Sequence, residues 1–328
     1  MTLLSYAEAA VRAQVSEKTL RRRVADGELP AVREGTRTRI RPIDLDRLYS
    51  PSPVKNRSQN TCRVIAVANQ KGGVGKTSTC ANLAAALSDE YQVLAVDCDP
   101  QGNLTQALGP NPDTLDISLY NVLVERTPIR RGILNPVLGH PGLSLIGANL
   151  ELAGADPQLA GAVLRELRLR QTLEPVLQEY DFVILDCPPT LGLLTINALM
   201  AATEVIIPVE MGVFSLRGVA KLLDTVAEVR VANPGLHRVN ALANRTDNTN
   251  LTTDVQAELQ NTFGADLFRT MIRRSVKIGE SQAARLPITL TNPKDRAAVD
   301  YAALANEVKA AGLTDPSELA EWRPGDGA

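Results

Sequence analysis

One short stretch leaves this chain few folds to choose from: Asn69-Gln70-Lys71-Gly72-Gly73-Val74-Gly75-Lys76-Thr77-Ser78. An apolar, β-branched run, Arg63-Val64-Ile65-Ala66-Val67-Ala68, precedes it, and the helix-forming Ala81-Asn82-Leu83-Ala84-Ala85-Ala86-Leu87 follows. Strand, glycine-rich turn and helix in that order form a phosphate-binding unit of an α/β protein. The glycines let successive backbone N–H groups turn inward onto phosphates, Lys76 meets the terminal phosphates, and the Thr77 hydroxyl ligates Mg2+. A dinucleotide fingerprint fits worse, because Gly73-Val74-Gly75 is followed by Ser78 where a third Gly or Ala belongs. The strict pattern G-x-x-x-x-G-K-[ST] needs Gly at position 70, where this chain has Gln70. It carries instead a second lysine, Lys71. One nucleotide rarely needs two lysines from one loop, whereas a lysine reaching a second nucleotide across a dimer interface would be a cation supplied in trans.

Two further apolar runs end in acids. Val93-Leu94-Ala95-Val96-Asp97-Cys98-Asp99-Pro100-Gln101-Gly102-Asn103 predicts a buried strand closing on two carboxylates. Strand alternation puts Asp97 and Asp99 on the same side, at the edge where open α/β sheets bind ligands. Phe182-Val183-Ile184-Leu185-Asp186-Cys187-Pro188-Pro189 predicts another, with Asp186 placed to hold Mg2+ through water.

The loop Lys-Gly-Gly-Val-Gly-Lys-Thr-Ser resembles the deviant Walker A loop of the ParA/MinD class of ATPases. In that class the first lysine bridges to the partner's nucleotide in an ATP-sandwich dimer. Asp-x-Asp-Pro-Gln-Gly-Asn and Asp-Cys-Pro-Pro-Thr-Leu-Gly-Leu-Leu, with the strand Val205-Ile206-Ile207-Pro208-Val209, resemble the ParA family of DNA-partition ATPases over about residues 61–312. The resemblance implies a mostly parallel α/β P-loop sheet flanked by helices, ATP and Mg2+ as cofactors, and weak, partner-stimulated hydrolysis. It implies a catalytic set of Lys71, Lys76 and Asp99, with Asp99 positioning the attacking water. Asp97 would sense the γ-phosphate or help Thr77 and Asp186 hold the metal. Gly72, Gly73, Val74, Gly75, Lys76, Thr77 and Ser78 would cradle ATP, and Asn244, after the strand Val239-Asn240-Ala241-Leu242-Ala243, would read the adenine edge. The implied partners are duplex DNA, a ParB-type centromere-binding protein and, on ATP, a second copy of the chain. The implied location is the cytoplasm, on the nucleoid.

Charge divides the chain. Residues 1–60 hold 12 Lys+Arg and 7 Asp+Glu, net +5, while the remaining 268 hold 23 and 30, net −7. The whole-chain value of −2 therefore hides a basic head on an acidic body, the asymmetry of a nucleic-acid contact. In the head, Ser5-Tyr6-Ala7-Glu8 fits a capping box and starts a helix. Ser16 caps a second, Glu17-Lys18-Thr19-Leu20-Arg21-Arg22-Arg23-Val24-Ala25, which Gly27 ends. Leu20 and Val24 share a buried stripe while Lys18, Arg21, Arg22 and Arg23 point largely elsewhere. Ala31-Val32-Arg33, a Glu34-Gly35 turn and Thr36-Arg37-Thr38-Arg39-Ile40-Arg41 predict a hairpin with Arg37, Arg39 and Arg41 on one face. Helix, turn, basic helix and basic hairpin resemble the small winged helix-turn-helix of MerR-like and excisionase-type proteins over about residues 3–49. Lys18, Arg21, Arg22, Arg37 and Arg39 are its candidate DNA contacts.

The expected organisation is a winged helix-turn-helix at 1–50, a Pro- and Ser-rich linker at 51–60, the ATPase domain at 61–313 and a tail at 314–328. ParA proteins often carry an arginine where Asn248 stands, and Arg245 is close enough to substitute. Ile272-Arg273-Arg274-Ser275-Val276-Lys277 replaces the family's Ile-Pro-Arg-Asn-Val-Arg, so Arg245, Arg273, Arg274 and Lys277 are the body's candidate DNA contacts. The four cysteines are far apart without CxxC spacing, which points to reduced thiols, with Cys98 and Cys187 as small buried fillers. His140 and His237 carry no motif. A MinD-like membrane cycle needs a basic amphipathic C-terminal helix, and this acidic tail with two prolines is not one. Single-strand readout by stacking is disfavoured by an aromatic content of 3%. The remaining alternative is an ATP-regulated transcription factor acting through the winged helix.

Overall fold

The computed structural model describes residues 3–13, 17–25, 29, 31–34, 37–42, 62–211, 215–246 and 250–311. Ser16, Gly27, Gly35, Asn248, the linker at 51–60 and the tail at 314–328 lie outside the described residues, as do the side chains of Lys18, Arg22 and Arg37.

The head contains α1 (Tyr6–Ala13), α2 (Glu17–Ala25) and an antiparallel hairpin of β1 (Ala31–Glu34) and β2 (Arg37–Ile40). The capping box forms: Ser5 donates its backbone N–H and its hydroxyl to Glu8 Oε2, both at 2.7 Å, and the Glu8 N–H returns to Ser5 Oγ at 3.3 Å. Ala9, Leu20, Leu29 and Ile40 make a small closed core, with Val24 packed against it. A bridge between Leu4 and Ile40 ties the first helix to the hairpin. Arg21 lies over the Tyr6 ring, 4.3 Å from its centroid, and pairs with Glu17. Arg23 departs from the expected outward direction. It is half-buried and donates to the carbonyl of Gly139 in the body.

The body is an eight-stranded sheet with helices on both faces. In chain order its strands and chief helices begin with β3 (Arg63–Val67), α3 (Lys76–Leu87), β4 (Val93–Asp97), β5 (Ile133–Leu134) and β6 (Leu143–Ile146). There follow β7 (Phe182–Asp186), α4 (Leu193–Ala201), β8 (Glu204–Glu210), α5 (Ser215–Ala232), β9 (Arg238–Thr246), β10 (Ile272–Arg273), α6 (Val276–Ala283) and α7 (Arg296–Ala311). The order across the sheet is β10-β9-β8-β3-β7-β4-β6-β5, parallel throughout except for the edge strand β5. The central strands read as continuous apolar runs because both faces are covered. Alternation sends Val64 and Ala66 into one core with Leu199 and Leu222, and Ile65 and Val67 into the other with Leu83 and Tyr301. Since β3 lies between β7 and β8 while its own crossover leads to β4, the connections leave the centre in opposite directions. A crevice opens at such a switch point, over the C-terminal strand ends.

Candidate functional site

The phosphate loop joins β3 to α3 at that crevice. Gly75 precedes the helix with φ of 93°, and a Cβ there would collide with Asn244 Nδ2. Only glycine lets the loop pass so close beneath the end of β9. Asn69 braces the start of the loop, donating to the Pro208 carbonyl at 2.8 Å and accepting the Lys71 N–H at 3.0 Å. Lys76 is 7% exposed and donates to the Lys71 carbonyl at 3.3 Å. The N-terminal amides of α3 face the same space, where a helix favours an anion.

Parallel register puts Asp97 and Asp186 side by side as Cα partners on neighbouring strands, both fully buried. Asp186 accepts the Thr77 hydroxyl at 2.7 Å. Burial first, and then the Asp97 charge, push its carboxyl well above the usual aspartate range. Asp97 is also pushed up, chiefly by burial. Buried Asp186 with the Thr77 hydroxyl against it, beside a second buried acid and a single buried lysine, is an oxygen site short of positive charge, which fits Mg2+.

Asp97 and Asp99 do not face the crevice together. The strand ends at Asp97, and the chain then turns through Pro100 to Gly102. Asp97 Oδ2 accepts both the backbone N–H and the hydroxyl of Thr105, at 2.8 and 2.7 Å, and Oδ1 accepts the Asp99 N–H at 3.2 Å. Asp97 thus faces back into its own loop, while Asp99 lines the crevice. The strand-alternation expectation fails because Asp99 lies beyond the last strand residue.

The crevice has a volume of about 480 Å³, and Gly73, Lys76, Thr77, Ser78, Asp99 and Arg245 are among the residues that line it. A second cavity of about 450 Å³, lined by Glu210, Arg274, Ser275 and others, shares Arg245 and Gln282 with the first. Gln282 donates to Ser78 Oγ at 2.9 Å. Asn244 is placed differently from the expectation. It is 2% exposed and its amide donates to the Val74 carbonyl at 2.8 Å while its oxygen accepts the Arg245 N–H. Held in this way, it clamps the loop.

The basic set of the body is also altered. Arg245 sits at a bulge where β9 and β10 lose register, with φ of 55°. Bulges of this kind re-aim a side chain. Here Arg245 lines the phosphate crevice and pairs with Glu210, with its side chain half exposed. Arg273 donates from Nε and Nη2 to the two oxygens of Asp300 at 3.0 and 2.7 Å, and Lys277 pairs with Glu280. Of the expected patch, Arg274 lines the second cavity. All four cysteines are unbridged, and burial raises the Cys80, Cys98 and Cys187 thiols.

The sequence motifs do not single out Glu210, Gln282, Thr105 or Asn69. Glu210 had a legible signal: like Asp97 and Asp186, it is the acid that closes an apolar strand.

A parallel sheet whose first body strand runs into this loop, with buried acids on the two strands beyond, defines a P-loop nucleotide-binding protein. The family described as AAA domain (AAA_31) matches residues 62–237, and the helix-turn-helix domain family (HTH_17) matches 3–50. The sporulation initiation inhibitor protein Soj of Bacillus subtilis is 41% identical over 253 residues, covering 76% of this chain and 99% of Soj. The chromosome partitioning protein ParA of Myxococcus xanthus is 39% identical over 250 residues, covering 75% and 87%. A crystal structure of cobyrinic acid a,c-diamide synthase from Mycobacterium smegmatis, with bound ADP and magnesium, superposes with a TM-score of 0.67 at 34% identity. It covers 76% of this chain and 94% of that one. The chain belongs to the ParA/Soj family of P-loop ATPases and carries an N-terminal helix-turn-helix domain.

Proposed function

We propose that this protein is an ATP-driven switch for DNA partition. Two subunits close over ATP, the closed dimer holds DNA, and slow hydrolysis, accelerated by a ParB-type partner, reopens it. The observation that carries this reading is the division of labour between the loop lysines. Lys76 lines the phosphate crevice, whereas Lys71 is directed away from it, to Glu210. A loop lysine that does not serve its own crevice is suited to serve another subunit's. Thr77 and Asp186 would hold Mg2+, which would neutralise charge on the terminal phosphates when bound. Asp97 would fix the loop that presents Asp99, and Asp99 would orient the attacking water. Arg245 at the crevice would meet phosphate oxygens, and Arg274 would remain the body's cation for DNA. Gly72 to Ser78 would cradle the nucleotide. The protein would work in the cytoplasm on the nucleoid; among the described residues no helix is long and apolar enough to cross a membrane.

Sedimentation of the wild type and Lys71→Ala with ATP and with ADP tests this reading. The expected outcome is an ATP-dependent dimer for the wild type and a monomer that still binds ATP for the variant. A variant that dimerises normally would remove the trans role. The helix-turn-helix favours a second reading, a transcription factor whose operator binding is modulated by ATP. Footprinting of the full chain separates the two: ATP-dependent coating of any duplex supports partition, and protection of one sequence supports repression.

A further inference from the structure

Glu210 ends β8 beside the phosphate loop. Its Oε2 accepts Lys71 Nζ at 2.8 Å, and its Oε1 accepts Arg245 Nη1 at 3.4 Å. One carboxylate therefore gathers two cations from different elements, one on the loop and one at the left-handed bulge of β9. The hydrogen bond from Lys71 is the largest of the effects that hold the Glu210 carboxyl below its usual range. The three side chains are 42%, 30% and 49% exposed, so water reaches all of them and none is locked in place.

We propose that Glu210 is a latch on Lys71, a positioning residue that must release this lysine before two subunits close over nucleotide. It would thereby set the ATP concentration at which the chain dimerises. The proposal rests on the reading of Lys71 as a cation supplied in trans. The latch treats the contact of Lys71 with Glu210 and its contact with a phosphate held by another subunit as alternatives, because the Lys71 side chain is here turned to Glu210. When it leaves, Glu210 still has Arg245, so the carboxylate is not left uncompensated and the exchange is shallow. Arg245 itself lines the phosphate crevice, which couples the latch to what that crevice holds. Arg245 can keep its contact with Glu210 while it lines the crevice, as it does here.

The expected size follows from exposure. An ion pair this open to water is worth about two- to fivefold in an equilibrium constant. A two-fold symmetric dimer releases two copies of the latch at once, so the effects multiply to roughly tenfold in the dimerisation constant.

The test is sedimentation of the full chain, wild type and Glu210→Gln, across an ATP series with Mg2+ and across an ADP series, with thermal melting to confirm that the variant is folded. Glutamine keeps the shape of the side chain and removes its charge. The variant is expected to dimerise at roughly tenfold lower protein concentration at fixed ATP. The gap should shrink as salt rises toward 1 M, because an exposed ion pair is screened there, with a Debye length of about 3 Å. A merely structural role for Glu210 would not produce that salt dependence. Should Glu210→Gln misfold, Glu210→Asp keeps the charge, shortens the reach and is expected to shift dimerisation in the same direction. If the wild type dimerises with ATP and the folded variant does so no more readily, the latch is overturned while the trans lysine stands. If the wild type remains a monomer at saturating ATP, the trans lysine itself is overturned and the latch falls with it.

Discussion

The two ends of the sheet serve opposite purposes. At the N-terminal ends of β3 and β8, Arg63 donates to both oxygens of buried Glu204, at 2.5 and 2.8 Å. The Arg63 guanidinium also donates to the Val308 carbonyl at 2.6 Å and lies 5.2 Å from the centre of the Phe182 ring. Arg238, 3.9 Å from Glu204, donates to the Ala311 carbonyl at 2.6 Å. Two arginines thus cap the last carbonyls of α7 where the helix dipole is negative, and join that helix to the sheet. Charge is matched there. At the C-terminal ends of β4 and β7, Asp97 and Asp186 stand side by side with their carboxyls pushed toward the neutral form. That end is left short of positive charge, and on the proposed function a ligand with its cation would complete it. Stability is concentrated at the base and reactivity at the crevice.

Three substitutions would sharpen or break this contrast. The largest effect belongs to Lys76→Ala, which removes the buried cation of the crevice. Turnover should fall by about 10²–10³-fold, as for loss of one preorganised charge donor, while the melting temperature changes little. A steady-state phosphate-release assay beside calorimetric melting reads both. Next is Arg63→Ala at the base. It removes both close hydrogen bonds to buried Glu204, leaving Arg238 at 3.9 Å, and should cost up to about 3–5 kcal/mol, roughly 10 °C in Tm for a domain of this size. Nucleotide affinity per folded molecule, measured by titration well below the transition, should not change. Lost nucleotide affinity with unaltered melting would reverse the roles of the two ends.

Opposite in sign is the effect of Asp186→Asn, which should abolish turnover yet stabilise the metal-free protein. The gain is on the order of 1 kcal/mol for each pKa unit of relieved shift. The sign follows from linkage. A carboxyl whose folded pKa is raised contributes its full stability below the usual value of 3.8 and loses it as pH rises toward the folded value. The variant should therefore melt above the wild type near neutral pH and level with it in acid. A variant less stable at neutral pH would show that the Asp186 charge is welcome where it sits.

The body was largely legible because its signals are local. An apolar β-branched run, a glycine turn and an alanine-rich helix specify strand, loop and helix through backbone propensity alone. The acids closing the Val93 and Phe182 runs marked the edge of the sheet that carries the chemistry. Ser5 and Glu8 announced the first helix for the same reason, since a capping box is complete within four residues. The residue pairs that decide side-chain direction were not legible. Nothing in the run from Asp97 to Asn103 says that Asp97 turns back to Thr105, because that depends on where the chain bends after the strand. The basic segment from Arg273 to Lys277 looked like an open patch until Asp300, on a helix far along the chain, was brought against Arg273.

The loop, the nucleotide class and the division into a basic head and an acidic body therefore belong to the sequence, where neighbours along the chain suffice to define them. Which lysine faces the crevice, what holds the other, and which cations remain outward were settled by folding. Glu210 on β8 meets Lys71, and Asp300 on α7 meets Arg273, only once the sheet and its helices have come together.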